Sequence, residues 1–214
     1  SPGTLTQHKE QKVVFTLKAD GQPLPNAKVT FTRNDNFSGL PEGKQTTDKN
    51  GQITVTGLTA LTSGKLNVSA TVEGQTVEAE FFVTKAAYTL TADPATLTLG
   101  VEAEVTFTLT RNGEALANDE VKLSGKDVTI NPANTTTGSD GTFSAMLKAT
   151  GDSLDKRTIT ATVGGTDTVE AKLSVGEATL VLTDSGGDPQ FTKNKQTKTL
   201  KAKLTDAAGT EIPL

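Results

Sequence analysis

The sequence of 214 residues contains no cysteine and no tryptophan, and only one histidine, one methionine and one tyrosine. Without cysteine the chain has no disulfide, no thiolate nucleophile and no thiolate metal ligand, and its redox compartment stays undetermined. The single histidine, His8, lies in a polar stretch, whereas a catalytic triad or a histidine-ligated metal site would hold it rigidly beside partner residues. We therefore interpret His8 as a solvated side chain.

Excess positive charge and long apolar runs are also missing. The chain has 21 Lys and Arg against 25 Asp and Glu, a formal net charge of −4. A protein that binds nucleic acid needs a basic surface to neutralise phosphates, so this composition argues against a nucleic-acid partner. No apolar run approaches the roughly 18 residues of a transmembrane helix.

Threonine is abundant instead, with 39 residues, and it favours strands over helices. Apolar residues recur at every second position, as in Val13, Phe15 and Leu17. This period of two indicates strands that bury one face and expose the other. Four dipeptides of the type that tolerates positive φ predict tight hairpin turns between these strands. They are Asp20–Gly21, Asn50–Gly51, Asn112–Gly113 and Asp140–Gly141.

The chain contains an internal repeat with a unit of about 90 residues. Four segments recur in the same order at offsets of 90 to 92 residues. They are 13–17 with 105–109, 46–51 with 136–141, 68–74 with 159–165, and 76–79 with 168–171. A third copy begins with 200–206, and we expect the chain to be a piece of a longer array.

About seven short antiparallel strands in such a unit are typical of an immunoglobulin-like sandwich. We predict an all-β fold of tandem immunoglobulin-like antiparallel β-sandwiches, arranged end to end as a rod. The predicted domains are 1–84, with a shortened first strand, 85–175, and the incomplete start of a third domain at 176–214. The connections near Tyr88 and Gly176 are too short to act as flexible tethers, so we predict that both residues lie at domain junctions.

The order of strand, turn and strand in each unit resembles bacterial Ig-like (group 1) domains of the intimin/invasin family of outer-membrane adhesins. The segments that carry the resemblance are 20–31, 46–55 and 64–72, with 112–121 and 139–143 in the second unit. The resemblance implies an inverse-autotransporter passenger on the surface of a Gram-negative cell, anchored through a part of the parent protein outside this chain. It carries no receptor-binding residue over to a position in this sequence.

Few residues qualify as candidate sites, and we predict no catalytic residue, no cofactor and no metal ligand. Phe37 and Leu40 lie in the longest irregular stretch of the first unit, at 34–43. They predict either a small exposed apolar patch that binds a partner or a plug that closes the end of the sandwich. The acidic segment 184–188 lies near a predicted junction, where a bridging cation is an alternative to ordinary turn chemistry.

We interpret the chain as a non-enzymatic stalk or spacer of a surface adhesin that projects an adhesive element for host-cell attachment or biofilm formation. The partner of the parent protein would be a host receptor, matrix component or glycan. In an alternative interpretation, the Ig-like domains themselves bind a host protein, a glycan or a second copy of the chain. A third alternative makes them accessory to an enzyme elsewhere in the parent polypeptide, since a fold does not fix a function.

Overall fold

The computed structural model describes residues 3–184 and 200–212, and the chain divides into two compact units, Ser1–Ala87 and Tyr88–Leu214. Every regular element in the described part of the chain is a β-strand, which confirms the predicted all-β, immunoglobulin-like class. The first unit ends three residues beyond the domain end that the sequence predicts at residue 84. A separate third domain from residue 176 stays a prediction.

The first unit is a sandwich of two sheets with the strand orders β1-β10-β9-β5-β7 and β2-β8-β6, beside a two-stranded ribbon of β3 and β4. Its strands are β1 (Gly3–Thr6), β2 (Glu10–Thr16), β3 (Lys18–Ala19), β4 (Gln22–Pro23), β5 (Lys28–Phe31), β6 (Phe37–Ser38), β7 (Lys44–Thr46), β8 (Gln52–Ala60), β9 (Gly64–Val72) and β10 (Gln75–Thr84). Strand β1 runs parallel to β10, with Gly3 beside Phe81 and Thr6 beside Thr84. The other pairs in this unit are antiparallel.

The second unit contains a sandwich with the strand orders β11-β13-β18-β16 and β12-β20-β19-β15-β17, in which β14 also pairs with β13. A two-stranded sheet of β21 and β22 follows it. The strands are β11 (Tyr88–Asp93), β12 (Thr96–Thr98), β13 (Glu102–Arg111), β14 (Glu114–Ala115), β15 (Glu120–Gly125), β16 (Val128–Asn131), β17 (Asn134–Thr136), β18 (Thr142–Ala149), β19 (Arg157–Val163), β20 (Asp167–Gly176), β21 (Thr179–Asp184) and β22 (Leu200–Thr205).

Each sandwich buries the apolar face that the period of two predicts. In β5 the burial alternates residue by residue, with Val29 and Phe31 buried and Lys28 and Thr30 exposed. The same pattern in the second unit gives a core whose members are almost completely inaccessible. They include Val105, Phe107, Leu109, Leu147, Ile159 and Leu173, each 0% exposed. The alternation of Val, Leu, Ile and Phe with Thr and Lys is therefore enough to form both cores without cysteine or tryptophan.

Two of the four predicted hairpin turns are confirmed. Both residues of Asp20–Gly21 have positive φ, 49° and 80°, and they join β3 to β4. Asn112–Gly113 has φ of 55° and 84° and joins β13 to β14 in the same way. Such turns match the right-handed twist of the strands that they connect, and Asp, Asn and Gly tolerate the positive φ.

The prediction of tight hairpins at Asn50–Gly51 and Asp140–Gly141 is wrong. Each dipeptide lies between strands of opposite sheets. In the first unit β7 belongs to the sheet of β5 and β8 to the sheet of β2, and in the second unit β17 belongs to the sheet of β15 and β18 to the sheet of β13. The Oδ1 of Asp48 accepts hydrogen bonds from the amides of Asn50 and Gln52, both at 2.8 Å, and this bonding fixes the crossover. The glycine is needed for packing as well as for its φ of 71°, because a Cβ at Gly51 would lie 2.7 Å from the Leu17 carbonyl oxygen.

We expect Gly141→Ala to destabilise the second unit more than Gly113→Ala does. Both glycines have positive φ, 77° and 84°, which costs an L-residue about 1–2 kcal/mol. Only at Gly141 would the new Cβ also collide with backbone, at 2.6 Å from the Leu109 carbonyl oxygen, whereas Gly113 has open space. Urea unfolding followed by the emission of the single tyrosine measures both variants. Equal midpoints for the two variants would contradict the packing argument.

Candidate functional site

The expectation of an exposed apolar patch at 34–43 is wrong for Phe37. This residue is 6% exposed and lies in β6, and its ring contacts Phe81 edge to face at a centroid distance of 6.0 Å. Leu40 is partly buried and packs against the same core. Both side chains therefore point into the sandwich, as in the alternative that has them close its end. Whether the segment 34–43 contacts a partner stays a prediction.

Tyr88, the predicted junction residue, begins β11 and lies in a small polar cluster within the second unit. Its hydroxyl donates to the Oδ2 of Asp167 at 3.3 Å, and Arg111 is its cross-strand neighbour. Partial burial raises the pKa of Tyr88 above the ordinary 10.0; the Arg111 guanidinium opposes this effect, and the Asp167 carboxylate adds to it. The cluster ties the start of β11 to the start of β20, so it secures the point where the chain enters the second sandwich.

We expect the second unit to lose stability as the pH rises above 10, because the folded state holds the phenol proton of Tyr88 more tightly than the unfolded chain does. In that range the Tyr88 phenol ionises in the unfolded chain before it ionises in the folded protein. The free energy of unfolding therefore falls until the pH passes the folded-state pKa. The absorbance of tyrosinate gives this pKa directly, since the chain has one tyrosine. Tyr88→Phe should remove the corresponding part of the alkaline loss, and a titration midpoint at or below 10.0 would refute the expectation.

Gly176, the other predicted junction residue, ends β20. Its carbonyl oxygen accepts a hydrogen bond from the amide of Leu99 at 2.8 Å. A Cβ at Gly176 would lie 2.4 Å from the Cβ of Ala207, in the turn after β22. The amide of Ala207 donates to the Oγ1 of Thr98, which is 6% exposed, at 3.0 Å. Within the second unit, the turn after β22 therefore packs on the end of the sandwich at a place that only glycine leaves open.

Arg157 is a buried cation that the sequence patterns did not single out. It begins β19 and is 4% exposed. Its guanidinium donates to four backbone carbonyl oxygens, and two of these bonds are 3.0 Å from Nε to Asp127 and 2.8 Å from Nη2 to Ser153. The other two acceptors are the carbonyl oxygens of Asp155 and Thr150. The side chain fixes the loop between β18 and β19 against the turn between β15 and β16.

The two sandwiches differ at one edge of the strand that carries the repeated segment 13–17 or 105–109, which is β2 in the first unit and β13 in the second. In the second unit, β11 pairs with β13, with Leu90 opposite Leu109 and Ala92 opposite Phe107. Within the described part of the first unit, no strand occupies the corresponding edge of β2. Val13, Phe15 and Leu17 consequently stay partly exposed, whereas their counterparts on β13 are 0% exposed. The result is a groove of about 670 Å³ between the two sheets of the first unit.

His8 is half-buried in a turn after β1, and its backbone amide donates to the Ala60 carbonyl oxygen at 2.8 Å, so its side chain is only partly exposed to solvent. The segment 184–188, with its proposed bridging cation, lies outside the residues whose side chains are described. Within 3–184 and 200–212, no group of three or more His, Cys, Asp and Glu side chains could hold a metal ion. The same residues include no helix with the length and apolarity of a membrane span.

Comparison with known families gives one match, to the bacterial Ig-like domain (group 1), over residues 7–84. This segment runs from the turn after β1 to the end of β10, so it takes in most of the first sandwich. No curated protein sequence matches the chain.

Several solved structures are similar to the chain. Invasin, a bacterial integrin-binding protein, is 25% identical over 99% of this chain and 46% of its own, with a TM-score of 0.43. The D0-D1 domains of intimin are 21% identical over 82% of this chain and 92% of theirs, with a TM-score of 0.31. The Yersinia pseudotuberculosis adhesin InvE is 16% identical over 82% of this chain and 57% of its own, with a TM-score of 0.41. The chain thus spans less than half the length of the invasin structure.

Proposed function

Because residues 7–84 match the model of the bacterial Ig-like domain (group 1), we propose that the chain is an extracellular spacer segment of a bacterial surface adhesin. Its work is mechanical and non-enzymatic, and it holds an adhesive element of the parent protein away from a Gram-negative cell surface. The parent protein is anchored in the outer membrane and attaches to a host receptor, matrix component or glycan. The family and the tandem arrangement of two sandwiches support this proposal.

The observation that carries the proposal is the connection between the two units. Strand β10 ends at Thr84 and β11 begins at Tyr88, so residues 85–87 alone join them. Ala86 is 7% exposed, and its amide donates to the Oε1 of Gln7 at 3.2 Å within the first unit. A connection of this length that is itself packed on a domain cannot behave as a Gly/Ser tether. Limited freedom between successive domains is what a spacer needs.

A distance measurement between the units tests this proposal. Because the chain has no cysteine, Lys44→Cys and Lys126→Cys introduce two unique sites for spin labels, one exposed on each unit. We expect a narrow distance distribution in the doubly labelled chain that keeps its own residues 85–87. The matched control replaces residues 85–87 with a ten-residue Gly/Ser segment, for which we expect a broad one. Equally broad distributions in both chains would contradict the spacer function.

A binding screen tests whether the chain itself binds a host partner, which the spacer function does not require. The purified chain is offered to epithelial cells, matrix proteins and glycans, with folding verified by circular dichroism. We expect no saturable binding to any of them. Saturable binding that is lost when the exposed residues Asp35, Ser38 and Glu42 are replaced, with the core residues Phe37 and Leu40 kept, would move adhesion into the Ig-like domains and overturn the spacer function.

A further inference from the structure

We propose that Asn134 is the acceptor of an N-linked sugar, which lies in a polar groove beside strand β17 of the second unit. The inference goes beyond the spacer function and does not rest on it. It joins two independent features of the described residues, an exposed Asn-x-Thr segment on an edge strand and a polar groove on the same face of the sheet.

The sequence contains three segments of the Asn-x-Ser/Thr type, which is the acceptor pattern for N-glycosylation. They begin at Asn36, Asn67 and Asn134. In a strand, an asparagine and the hydroxyl residue two positions later share one face, because successive side chains alternate between the two faces. A transferase has to reach both side chains together, so the surroundings of each segment decide whether it is an acceptor.

Asn67 is engaged in the middle of a sheet. Its Nδ2 donates to the Oε2 of Glu78 at 2.9 Å, and the Ser69 hydroxyl donates to the Oε1 of the same carboxylate at 3.2 Å. Its strand, β9, pairs with β10 on one side and with β5 on the other. Both polar groups that a transferase needs are therefore bound to a third side chain, and the backbone between them is held on both sides.

Asn36 is held by its neighbours in the same unit. Its Oδ1 accepts a hydrogen bond from the Thr62 hydroxyl at 3.0 Å, and the residue is half-buried. The residue between Asn36 and Ser38 is Phe37, which belongs to the core. Drawing this segment into a transferase would remove Phe37 from the core, so the folded unit disfavours the reaction.

Asn134 has none of these restraints. Asn134 and Thr136 are both exposed, and the Asn134 side chain makes no hydrogen bond with any described residue. Strand β17 contains three residues and lies at the edge of its sheet, where it pairs with β15 alone. Such a short edge segment can leave the sheet by local opening at the loss of few backbone hydrogen bonds. Of the three segments, this one is accessible in the folded chain.

A groove of about 770 Å³ lies on the face of the sheet that carries Asn134. Asn134 pairs with Lys122, and Lys122 pairs with Thr162, so these residues form one row across the sheet, and all three line the groove. Glu120 and Ser124 line it as well. Hydroxyl, ammonium and carboxylate groups together donate and accept hydrogen bonds, as the hydroxyls of a sugar require. A sugar attached to the Nδ2 of Asn134 can therefore lie over Lys122 and reach Thr162.

The first unit shows how the equivalent edge is protected there. At the repeat offset of 90 residues, Lys44 on β7 corresponds to Asn134 on β17, and both strands lie at the edge of their sheets. A lysine on an exposed edge keeps that edge from pairing with another chain. Residues 134–136 carry no charge, and a bulky, hydrophilic sugar at Asn134 would cover this edge instead.

The modification is a group transfer from a sugar whose anomeric carbon is bonded to a diphosphate, either nucleotide-linked or lipid-linked. The Nδ2 of Asn134 forms the new bond to that carbon, and the bond between the carbon and the diphosphate oxygen breaks. The diphosphate leaves with the bonding electron pair, and the amide loses one proton to a base of the transferase.

A glycosylation assay on the folded chain tests the site. The enzyme is a transferase that modifies all three segments as free peptides; it is supplied with a nucleotide-linked hexose, and peptide mass mapping locates the product. We expect Asn134 to react at least about tenfold faster than Asn36 or Asn67, because each of these must first open locally. Asn134→Gln and Thr136→Val should abolish this reaction, and Thr136→Ser should retain it. Equal rates at the three asparagines, or an unreactive Asn134, would overturn the proposal.

Nuclear Overhauser contacts test where the sugar lies. In the glycosylated chain we expect contacts between the hexose and the Thr162 methyl group. The control is the methyl group of Thr158, on the same face of β19 about 13 Å away at 3.3 Å per residue, for which we expect none. A hexose at Asn134 that makes no contact with Thr162 would overturn the groove as its binding place.

The cells that make the parent protein provide the last test. Their parent protein should carry a sugar on the peptide that contains Asn134, and an unmodified peptide would overturn the proposal. Fractionation of the same cells distinguishes the two donors. Transfer to the purified chain by the soluble fraction with a nucleotide-linked hexose identifies the first, and transfer by the membranes alone identifies the lipid-linked sugar.

Discussion

Phe107→Ala is expected to destabilise the second unit by about 3–5 kcal/mol. Phe107 is 0% exposed and stacks on Phe143, its cross-strand neighbour, at a centroid distance of 5.3 Å. Removing the ring leaves a cavity between two strands that both continue past it, so the surrounding side chains have little room to collapse. Urea unfolding followed by tyrosine emission reads this unit selectively, because the single tyrosine is Tyr88.

Phe15→Ala is the matched control, since Phe15 occupies the same repeat position on β2. Its ring contacts Phe31 and Phe81 at 5.1 and 5.9 Å, but the side chain stays partly exposed beside the groove. We expect a smaller loss, read by circular dichroism from the transition of the first unit. An unchanged midpoint for Phe107→Ala would mean that the face of β13 is wrongly assigned. Equal losses at the two positions would mean that the open edge has no energetic consequence.

Arg157→Met is expected to destabilise the second unit by about 1–3 kcal/mol, the cost of leaving a carbonyl acceptor without its donor. Methionine keeps much of the side-chain volume but removes the guanidinium donor from four part-buried hydrogen bonds, although the Asp127 carbonyl oxygen keeps the Thr150 amide as a donor. The carbonyls that lose it belong to Asp127, Thr150, Ser153 and Asp155. Arg157→Lys should lose less, because an ammonium group can still reach some of the acceptors.

Lys156→Met controls for the removal of a positive charge in the same loop, because Lys156 is exposed and its replacement should change stability by less than about 0.5 kcal/mol. Hydrogen exchange locates the effect. The amide of Thr150 donates to the Asp127 carbonyl oxygen at 2.9 Å, and this bond should open faster in Arg157→Met. A variant with the parent midpoint and unchanged exchange at Thr150 would show that the guanidinium does not hold the loop.

The core could be predicted from sequence because period-two burial and the 90-residue repeat reinforce each other. In the second unit Val105, Phe107 and Leu109 alternate with threonine, and in the first unit the equivalent segment 13–17 alternates with valine and threonine. One pattern therefore locates the same strand twice. The hairpins at Asp20–Gly21 and Asn112–Gly113 were predictable for a local reason, since their φ values depend on two residues. Tyr88 begins β11 and Gly176 ends β20, whereas the predicted role of both residues at domain junctions stays a prediction.

Other features depend on contacts between distant segments, and local patterns do not show them. Arg157 has Leu66 at the equivalent position of the first unit, so the repeat gives no signal for a buried cation there. The sequence predicts a loop at Phe37 because β6 contains just two residues and shows no period of two. Pairing with β8 nevertheless brings Phe37 into the core. Asn50–Gly51 has the composition of a hairpin, and only the assignment of β7 and β8 to opposite sheets shows that it crosses between them.

The parallel pairing of β1 with β10 determines how the first sandwich responds to tension. Strand β1 starts at Gly3 beside Phe81, and β10 leaves at Thr84 beside Thr6, so the two chain ends emerge from opposite ends of the same ladder. A pull along the chain therefore loads these hydrogen bonds in shear, all together, instead of opening them one after another. The second sandwich repeats the arrangement between β12 and β20, with Thr96 beside Ser174 and Thr98 beside Gly176. Survival under force depends on the unfolding rate, and we expect the shear geometry to slow that rate without adding a single buried residue.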